Sequence, residues 1–320
     1  MTDTKIEWAD KVWNPVIGCT AVSPGCANCY AVSMAHRHAS NPKLGDTYHG
    51  LTVKHPNGIV GWSGQVKCLS ERLKQPLRWK QPSRIFVNSM SDIFHPDVPD
   101  KFIDKVFAVM AQAQHHVFQV LTKRPQRMRE YFSEIEFRTE MVGIQAEHIS
   151  GFDRFIWHDD DSGNADPRWP FPLKNVWLGT SVENQATADE RIPLLLQTPA
   201  AVHWISAEPL LGPVTIGHDY LPSMESFGNT LDWVVCGGES GPNARPMHPD
   251  WARGLRDQCK AADVPFFFKQ WGEWSPYGKF IDTQHGKEMT REWTGGGSVR
   301  VGKTKAGCLL DGVEHKEFPQ

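Results

Sequence analysis

One unit of this chain runs from residue 231 to residue 241 and reads Leu231-Asp232-Trp233-Val234-Val235-Cys236 followed by Gly237-Gly238-Glu239-Ser240-Gly241. Its first half is a short run of β-branched and aromatic side chains, which is typical of a buried parallel strand. Its second half is a polar break that contains glycine. We therefore expect a buried strand that runs directly into a loop.

The same pattern of an apolar run followed by a polar break recurs along the chain. Its apolar runs, besides the one above, are Arg84–Val87, His116–Leu121, Asn175–Gly179, Val202–Ile205 and Val264–Phe268, and a run at Val12–Ile17 would add a first strand. Helix-compatible stretches lie between them, clearest at 99–110 and 249–259, where apolar residues recur every four positions after a proline. We expect Cys259, on the second stretch, to be a core residue. The alternation predicts an α/β fold, a partial or open parallel (β/α)6-7 barrel.

The alternation covers residues 1–271, which we interpret as one barrel domain with surface insertions at about 40–64 and 133–173. Residues 272–320 carry Gly-rich turns and short strand-like pieces, and predict a C-terminal extension packed on the barrel. No window approaches the ~20 apolar residues of a membrane helix, so we expect no membrane partner and a cytoplasmic protein. A net charge of -3 neither demands nor excludes a nucleic-acid partner.

Polar residues follow every predicted strand. In parallel barrels the carboxyl ends of the strands carry the binding and catalytic residues. The segments at these ends are Asn88-Ser89-Met90-Ser91-Asp92, Thr122-Lys123-Arg124, Thr180-Ser181-Val182-Glu183-Asn184, Ser206-Ala207-Glu208, Gly237-Gly238-Glu239 and Lys269-Gln270. Helix capping alone would explain Ser91, Asp92 and Asn184. It explains the charged residues less well, because buried charges need partners or ligands. The candidate catalytic residues are Glu208, Glu239 and Lys269.

Three cysteines lie close together in the segment Gly18-Cys19-Thr20-Ala21-Val22-Ser23-Pro24-Gly25-Cys26-Ala27-Asn28-Cys29-Tyr30. Clustered thiolates in a protein of a reducing compartment usually hold metal, and three can bind a [4Fe-4S] cluster with one iron left open. Structural zinc is one alternative, and it would have to recruit His36, His38 or Cys68 as a fourth ligand. A disulfide between two of the three cysteines is another. We expect Cys68 to be a partly buried thiol.

The triad and the strand-end segments, together with Leu121-Thr122-Lys123-Arg124-Pro125 and Phe268-Lys269-Gln270-Trp271-Gly272, resemble the phage-associated three-Cys-motif protein family over nearly the whole chain. That family resembles a divergent branch of the radical S-adenosylmethionine superfamily. The resemblance implies a [4Fe-4S] cluster on Cys19, Cys26 and Cys29, bound S-adenosylmethionine, and an electron donor of the flavodoxin or ferredoxin type.

The resemblance also implies roles for matched positions. The polar segment after the second strand, with Asn88, Ser89 and Ser91, would contact the methionine amino group. The other cofactor-binding candidates are Lys123, Arg124, Thr180, Ser181, Glu183, Gly237 and Gly238. Two features depart from the superfamily pattern. The spacing between Cys19 and Cys26 is longer than usual, and Asn28 stands where an aromatic residue is usual. The implied substrate is a nucleotide or nucleic acid.

Two other functions remain open. One is a non-enzymatic iron-sulfur or zinc protein that binds nucleic acid or a partner protein through a basic patch of Lys123, Arg124, Arg127 and Arg129. The other is metal-independent hydrolysis by the strand-end carboxylates, which would leave the cysteine triad unexplained.

Overall fold

The computed structural model describes residues 4, 6–150, 171–223, 228–277, 290–293 and 296–320. The chain divides into two compact units. The first comprises Met1–Ala21, Ala31–Thr180 and Gln197–Val202, and the second comprises Val22–Tyr30, Ser181–Leu196 and His203–Gln320. Cys19 therefore belongs to the first unit, whereas Cys26 and Cys29 belong to the second.

Strands, α-helices and short turns of 3-10 helix make up the regular structure. The strands are β1 (Lys11–Trp13), β2 (Val16–Ile17), β3 (Thr52–Lys54), β4 (Val60–Trp62), β5 (Lys67–Cys68), β6 (Arg84–Val87), β7 (Val117–Thr122), β8 (Val176–Ser181), β9 (Val202–Ala207), β10 (Trp233–Gly237), β11 (Phe266–Gln270), β12 (Trp274–Tyr277), β13 (Thr290–Trp293), β14 (Gly296–Arg300), β15 (Leu309–Leu310) and β16 (Val313–Glu314). The α-helices are α1 (Tyr30–Ala39), α2 (Gly45–Tyr48), α3 (Asp100–Gln112), α4 (Pro125–Phe132), α5 (Ile135–Ser150), α6 (Gln185–Leu196), α7 (Pro249–Ala261) and α8 (Lys303–Ala306). Turns of 3-10 helix cover Pro24–Cys26, Ser70–Arg72, Pro76–Arg78 and His218–Tyr220.

Parallel strands form the sheet of the first unit, in which β1 pairs with β6, β6 with β7, and β7 with β8. Every residue of β8 is buried, as expected of a parallel strand covered on both faces. Helix α3 begins directly after Pro99, and its apolar residues Phe102, Val106 and Met110 are buried. The helix predicted at this place is therefore confirmed.

The predicted first strand, Val12–Ile17, is two strands in the structure. β1 joins the parallel sheet, whereas β2 pairs antiparallel with β5. Pro15 lies between them, and because proline has no backbone N–H to donate, it interrupts a strand at this point. The prediction of one continuous strand over Val12–Ile17 was wrong, although the existence of a first parallel strand is confirmed.

In the second unit, β9 pairs with β10 and β10 with β11, again in parallel. Helix α7 begins at Pro249, and its Leu255 and Cys259 are fully buried, which confirms that Cys259 is a core residue. Beyond the parallel strands, β12, β14 and β13 form an antiparallel sheet, and β15 and β16 form a hairpin.

Seven parallel strands lie in the described part of the chain, four in the sheet of the first unit and three in that of the second. The predicted α/β fold with an open parallel sheet of six or seven strands is confirmed, with seven. In the described part of the chain, no helix has the length and apolar character needed to cross a bilayer.

The predicted domain organisation stays a prediction. Residues 40–64 contain α2 and the antiparallel pair β3 and β4. Residues 135–150 form α5, which packs against α3, while the polar stretch 151–170 of the second predicted insertion lies outside the described residues.

Candidate functional site

Arg124 connects the first cysteine to the end of strand β7 within the first unit. Its Nη1 donates to Asp92 Oδ2 at 3.0 Å and lies 3.7 Å from Cys19 Sγ. Its Nη2 donates to the backbone oxygen of Thr20 at 3.0 Å and to Thr20 Oγ1 at 2.7 Å. Only 10% of the Arg124 side chain is exposed, so these bonds hold the guanidinium in one orientation.

Asp92 anchors this arginine. Its carboxylate also accepts hydrogen bonds from Thr122 Oγ1 at 2.8 Å and from the backbone nitrogens of Phe94 and Lys123, each at 3.0 Å. Capping explains the bond to Phe94 but not the ion pair with Arg124. Burial disfavours the charge on Arg124, but Asp92 and then Cys19 outweigh burial and raise the pKa of the guanidinium. Asp92 is therefore a residue of the site as well as a cap.

His95 lies beside the same cluster, and nothing in the sequence pattern singled it out. Its Nε2 is 2.9 Å from Thr20 Oγ1. Burial, and then the charge of Arg124, lower the pKa of His95 below its usual value. The imidazole is therefore neutral at neutral pH and can accept from or donate to the threonine hydroxyl.

Asn88 is the one member of the predicted amino-group segment whose side chain has no hydrogen-bond partner among the described residues. It is 2% exposed, its φ is 61°, and both Nδ2 and Oδ1 are buried and unpaired. Buried amides are normally hydrogen-bonded, so an unpaired one points to a ligand. In contrast, Ser89 Oγ donates to Asn14 Oδ1 at 3.2 Å and Ser91 Oγ donates to the Val16 oxygen at 2.7 Å. These two hydroxyls hold the loop itself.

Two further predicted residues lie inside the sheet. Thr180 is fully buried, and its hydroxyl donates to the Thr122 oxygen at 2.9 Å. Ser181 is also buried, and its backbone oxygen accepts from Arg191 Nη1 at 2.8 Å. The Thr180 contact lies within the first unit and the Ser181 contact within the second, and each joins two protein atoms.

In the second unit, Glu183 binds the loop that precedes Cys26. Its Oε1 accepts from Ser23 Oγ at 2.7 Å, and both of its oxygens lie 3.4 Å from Arg191 Nη1. The glutamate is 0% exposed. A Cβ on Gly25 would lie 2.6 Å from Glu183 Oε1, so only glycine allows the loop to approach this closely. The sequence predicted a cofactor role for Glu183, whereas its observed contacts hold the cysteine loop.

Glu239 binds the same loop at the turn between Cys26 and Cys29. Its Oε2 accepts from Asn28 Nδ2 at 3.0 Å, and Arg245 donates to the carboxylate through Nε at 2.8 Å, Nη2 at 2.6 Å and its backbone nitrogen at 2.8 Å. Arg245 Nη2 also donates to the Pro24 oxygen at 3.0 Å. Glu239 is 5% exposed. Asn28, in place of an aromatic residue, thus serves as the donor that ties the turn to this carboxylate.

Glu208 and Lys269 form an ion pair at the ends of β9 and β11, with 3.0 Å between Glu208 Oε1 and Lys269 Nζ. Ser206 Oγ donates to Glu208 Oε2 at 3.3 Å. A Cβ on Gly237 would lie 2.6 Å from Glu208 Oε1, and one on Gly238 would lie 2.1 Å from the Trp271 oxygen. Gly237 therefore leaves room for the Glu208 side chain, and Gly238 leaves room for the backbone at Trp271.

All seven cysteines are thiols rather than disulfides, and the three of the triad are partly exposed. Cys68 is partly buried, as expected, and burial raises the pKa of its thiol. Burial also raises the pKa of Cys259, to about 12. Within the described residues, no group of three or more His, Cys, Asp or Glu side chains is arranged to hold a metal ion. The assignment of Cys19, Cys26 and Cys29 as cluster ligands therefore stays a prediction.

The basic patch expected from the sequence is largely engaged in internal contacts. Arg124 pairs with Asp92, Arg127 pairs with Asp100, and Arg129 Nη1 donates to Gln197 Oε1 at 2.7 Å. These contacts do not favour the patch as a nucleic-acid interface.

Sequence reasoning missed the partners of its own carboxylates. Arg191 follows Glu183 by eight residues, and Arg245 follows Glu239 by six. A search for a cation within eight residues after each strand-end glutamate would have named both as candidates, although only the structure shows that they pair with these carboxylates. Ser23 and Asn28 carried no such signal, because their partners are 160 and 211 residues away in sequence.

None of the curated proteins matches the chain in sequence. Among solved structures, the chain is similar to spore photoproduct lyase complexed with dinucleoside spore photoproduct, with a TM-score of 0.39, 11% identity, and coverage of 93% of this chain and 70% of that chain. A double mutant of the lyase with bound AdoMet and dinucleoside spore photoproduct gives a TM-score of 0.36, 11% identity, and coverage of 92% and 68%. Residues 3–319 match the family model described as "Protein of unknown function (DUF5131)", and the chain belongs to that family.

Proposed function

We propose that the chain is an iron-sulfur enzyme of the radical S-adenosylmethionine type, in which Cys19, Cys26 and Cys29 hold a [4Fe-4S] cluster. The observation that carries the proposal is the loop with Cys26 and Cys29, which hydrogen-bonds to two buried carboxylates, Glu183 and Glu239. Burying an anion costs free energy even when it is paired. Two such anions under one short loop are explained if that loop must present its cysteines in a set geometry.

Two observations support a [4Fe-4S] cluster and S-adenosylmethionine as the groups that these residues bind. The donor set is three thiols without a protein-derived fourth ligand in the motif, which suits a cluster with one open iron. The unpaired amide of Asn88 offers an NH2 donor group and a carbonyl acceptor from a buried position, which suits a ligand with both an amino and a carboxylate group. S-adenosylmethionine is such a ligand.

The chemistry that a bound and reduced cluster supplies is one-electron cleavage of S-adenosylmethionine to methionine and a 5'-deoxyadenosyl radical, which abstracts hydrogen from a substrate. An electron donor of the flavodoxin or ferredoxin type supplies the electron. Asn88 binds the methionyl end, and Glu183 and Glu239 orient the cysteine loop through Ser23 and Asn28.

For the substrate we propose a nucleotide or nucleic acid, on the resemblance to a phage-associated family. Glu208 and Lys269 face it in this proposal, because they present a carboxylate and an ammonium group at the strand ends and are only partly buried. Nucleotides, single-stranded DNA and RNA can each be tested for whether they raise the rate of S-adenosylmethionine cleavage.

The test is anaerobic reconstitution followed by incubation with S-adenosylmethionine and a strong reductant. We expect iron and acid-labile sulfide in the ratio of a [4Fe-4S] cluster, and 5'-deoxyadenosine as a product. Cys26→Ala should abolish both, whereas Cys68→Ala, a matched control outside the triad, should change neither. Zinc in place of iron, or a complete cluster that yields no 5'-deoxyadenosine, would contradict the proposal.

A further inference from the structure

We propose that Arg124 acts on the sulfur of Cys19 and raises the reduction potential of the cluster, instead of binding S-adenosylmethionine as the sequence suggested. The inference rests on the proposed function, since it requires a cluster on Cys19. It concerns a different property of that site, namely how easily the cluster accepts an electron.

The terminal nitrogens of Arg124 already have protein partners. Nη1 lies 3.0 Å from Asp92 Oδ2 and 3.7 Å from Cys19 Sγ, and Nη2 bonds twice to Thr20, the residue after that cysteine. Recognition of a ligand carboxylate by arginine commonly uses two parallel N–H groups. In this protein the same groups are directed at Asp92, Cys19 and Thr20.

The carboxylate that holds Arg124 is itself immobilised. Besides Arg124, Asp92 accepts from Thr122 Oγ1 and from the backbone nitrogens of Phe94 and Lys123. Rotating it away would leave these donors unsatisfied in a buried place, which is costly. The guanidinium is therefore positioned before any cluster binds.

A cation and a hydrogen-bond donor at a ligand sulfur stabilise the more negative, reduced form of a cluster. Hydrogen bonds to the sulfurs and local charge are among the factors that set iron-sulfur potentials. Because only 10% of the Arg124 side chain is exposed, solvent ions screen its charge poorly. Loss of this group should therefore make the cluster harder to reduce.

The experiment is a redox titration of the reconstituted cluster in Arg124→Met, followed by electron paramagnetic resonance. Losing one charge-assisted hydrogen bond should lower the ratio of reduced to oxidised cluster at a fixed potential about tenfold. For a one-electron couple this is a midpoint about 59 mV more negative. Arg124→Lys, which retains the charge, should recover part of the shift.

Arg129→Met is the matched control, because it removes the same charge from the neighbouring helix α4, where Arg129 contacts Gln197. An unchanged midpoint in Arg124→Met, or an equal shift in Arg129→Met, would overturn the inference. A wild-type protein that assembles no iron-sulfur cluster would instead overturn the proposed function.

A second measurement needs no variant and decides the matter if Arg124→Met fails to fold or to assemble a cluster. Wild-type protein grown with 15N-labelled arginine should show a nitrogen coupling to the reduced cluster in pulsed electron paramagnetic resonance. The coupling would come from a guanidinium within hydrogen-bonding distance of a ligand sulfur. Its absence would overturn the inference.

Discussion

Glu239→Gln tests whether the buried carboxylate under the turn between Cys26 and Cys29 stabilises this loop. The substitution preserves shape but replaces one oxygen with an amide. Oε2 accepts from Asn28 and from two Arg245 nitrogens, whereas Oε1 accepts from Arg245 Nη2. The glutamine will therefore place its oxygen at the Oε2 position and lose the bond from Nη2.

The expected cost follows from these contacts. A lost charge-assisted hydrogen bond costs about 1.5–3 kcal/mol, and breaking a fully buried ion pair costs about 3–5 kcal/mol. The Arg245 side chain is 36% exposed, so water can solvate the unpaired cation and the lower range applies. We expect a loss of about 2–3 kcal/mol in the free energy of unfolding, which corresponds to roughly 5 °C in Tm for a chain of this size.

The measurement is thermal and urea unfolding of cluster-free protein, with iron content after reconstitution as a second readout. Glu130→Gln is the control, because this exposed carboxylate bonds to Gln126 on its own helix and should cost little. If Glu239→Gln unfolds like wild type and binds iron equally well, the loop does not depend on this carboxylate.

The pH dependence provides an independent check on Glu239. Burial alone would raise the pKa of its carboxyl, but the hydrogen bonds from Arg245 and Asn28 outweigh burial and lower it. A lowered carboxyl pKa contributes stability above the unfolded value of about 4.3, and this contribution is lost as the pH falls through the folded value. The difference between wild type and Glu239→Gln should therefore shrink below about pH 4.

Three further substitutions test other parts of the site. Gly25→Ala places a Cβ 2.6 Å from the buried Glu183 and should cost about 1–3 kcal/mol in unfolding experiments, whereas Gly254→Ala, with open space around it on α7, should be neutral or stabilising. Asn88→Ala removes an unpaired buried amide, and affinity for S-adenosylmethionine, measured by equilibrium binding, should fall about tenfold. Stability should fall by about 1–2 kcal/mol, because alanine tolerates the φ of 61° at this position less well than asparagine does. Unchanged affinity would place the ligand elsewhere. Lys269→Met removes the cation paired with Glu208 and should lower the free energy of unfolding by about 1–3 kcal/mol. The double variant with Glu208→Gln should regain most of this loss. Losses from the two substitutions that simply add would contradict a coupled pair.

The sequence predicted the strands and their polar ends well, because both follow local rules. Buried parallel strands need continuous apolar runs, and their loops need turn-forming residues, so six of the seven parallel strands were found within about two residues. Val12–Ile17 failed at Pro15, whose effect on the ladder is equally local and could have been anticipated. Glu208 and Lys269 were both selected as strand-end charges, although their pairing was not.

The side-chain partners could not be predicted, because they depend on which strand ends become neighbours. Ser23 bonds to a residue 160 positions away and Asn28 to one 211 positions away, and no spacing rule connects such pairs. The same is true of Arg124 and Cys19, which are 105 positions apart. Glu183 and Glu239, which the sequence assigned to cofactor binding and catalysis, contact the cysteine loop in the structure, and these two assignments stay predictions.

By itself, the sequence determined that this chain builds a parallel α/β sheet and carries three thiols on a loop after its first strand. Both features depend only on residues that are near one another in sequence. The tertiary structure alone decided how each buried charge is neutralised: Glu183 by Arg191, Glu239 by Arg245, and Asp92 by Arg124. The physical reason is that desolvating a charge has a large free-energy cost, which only a partner at hydrogen-bonding distance can offset, and such distances exist only after the strands have assembled.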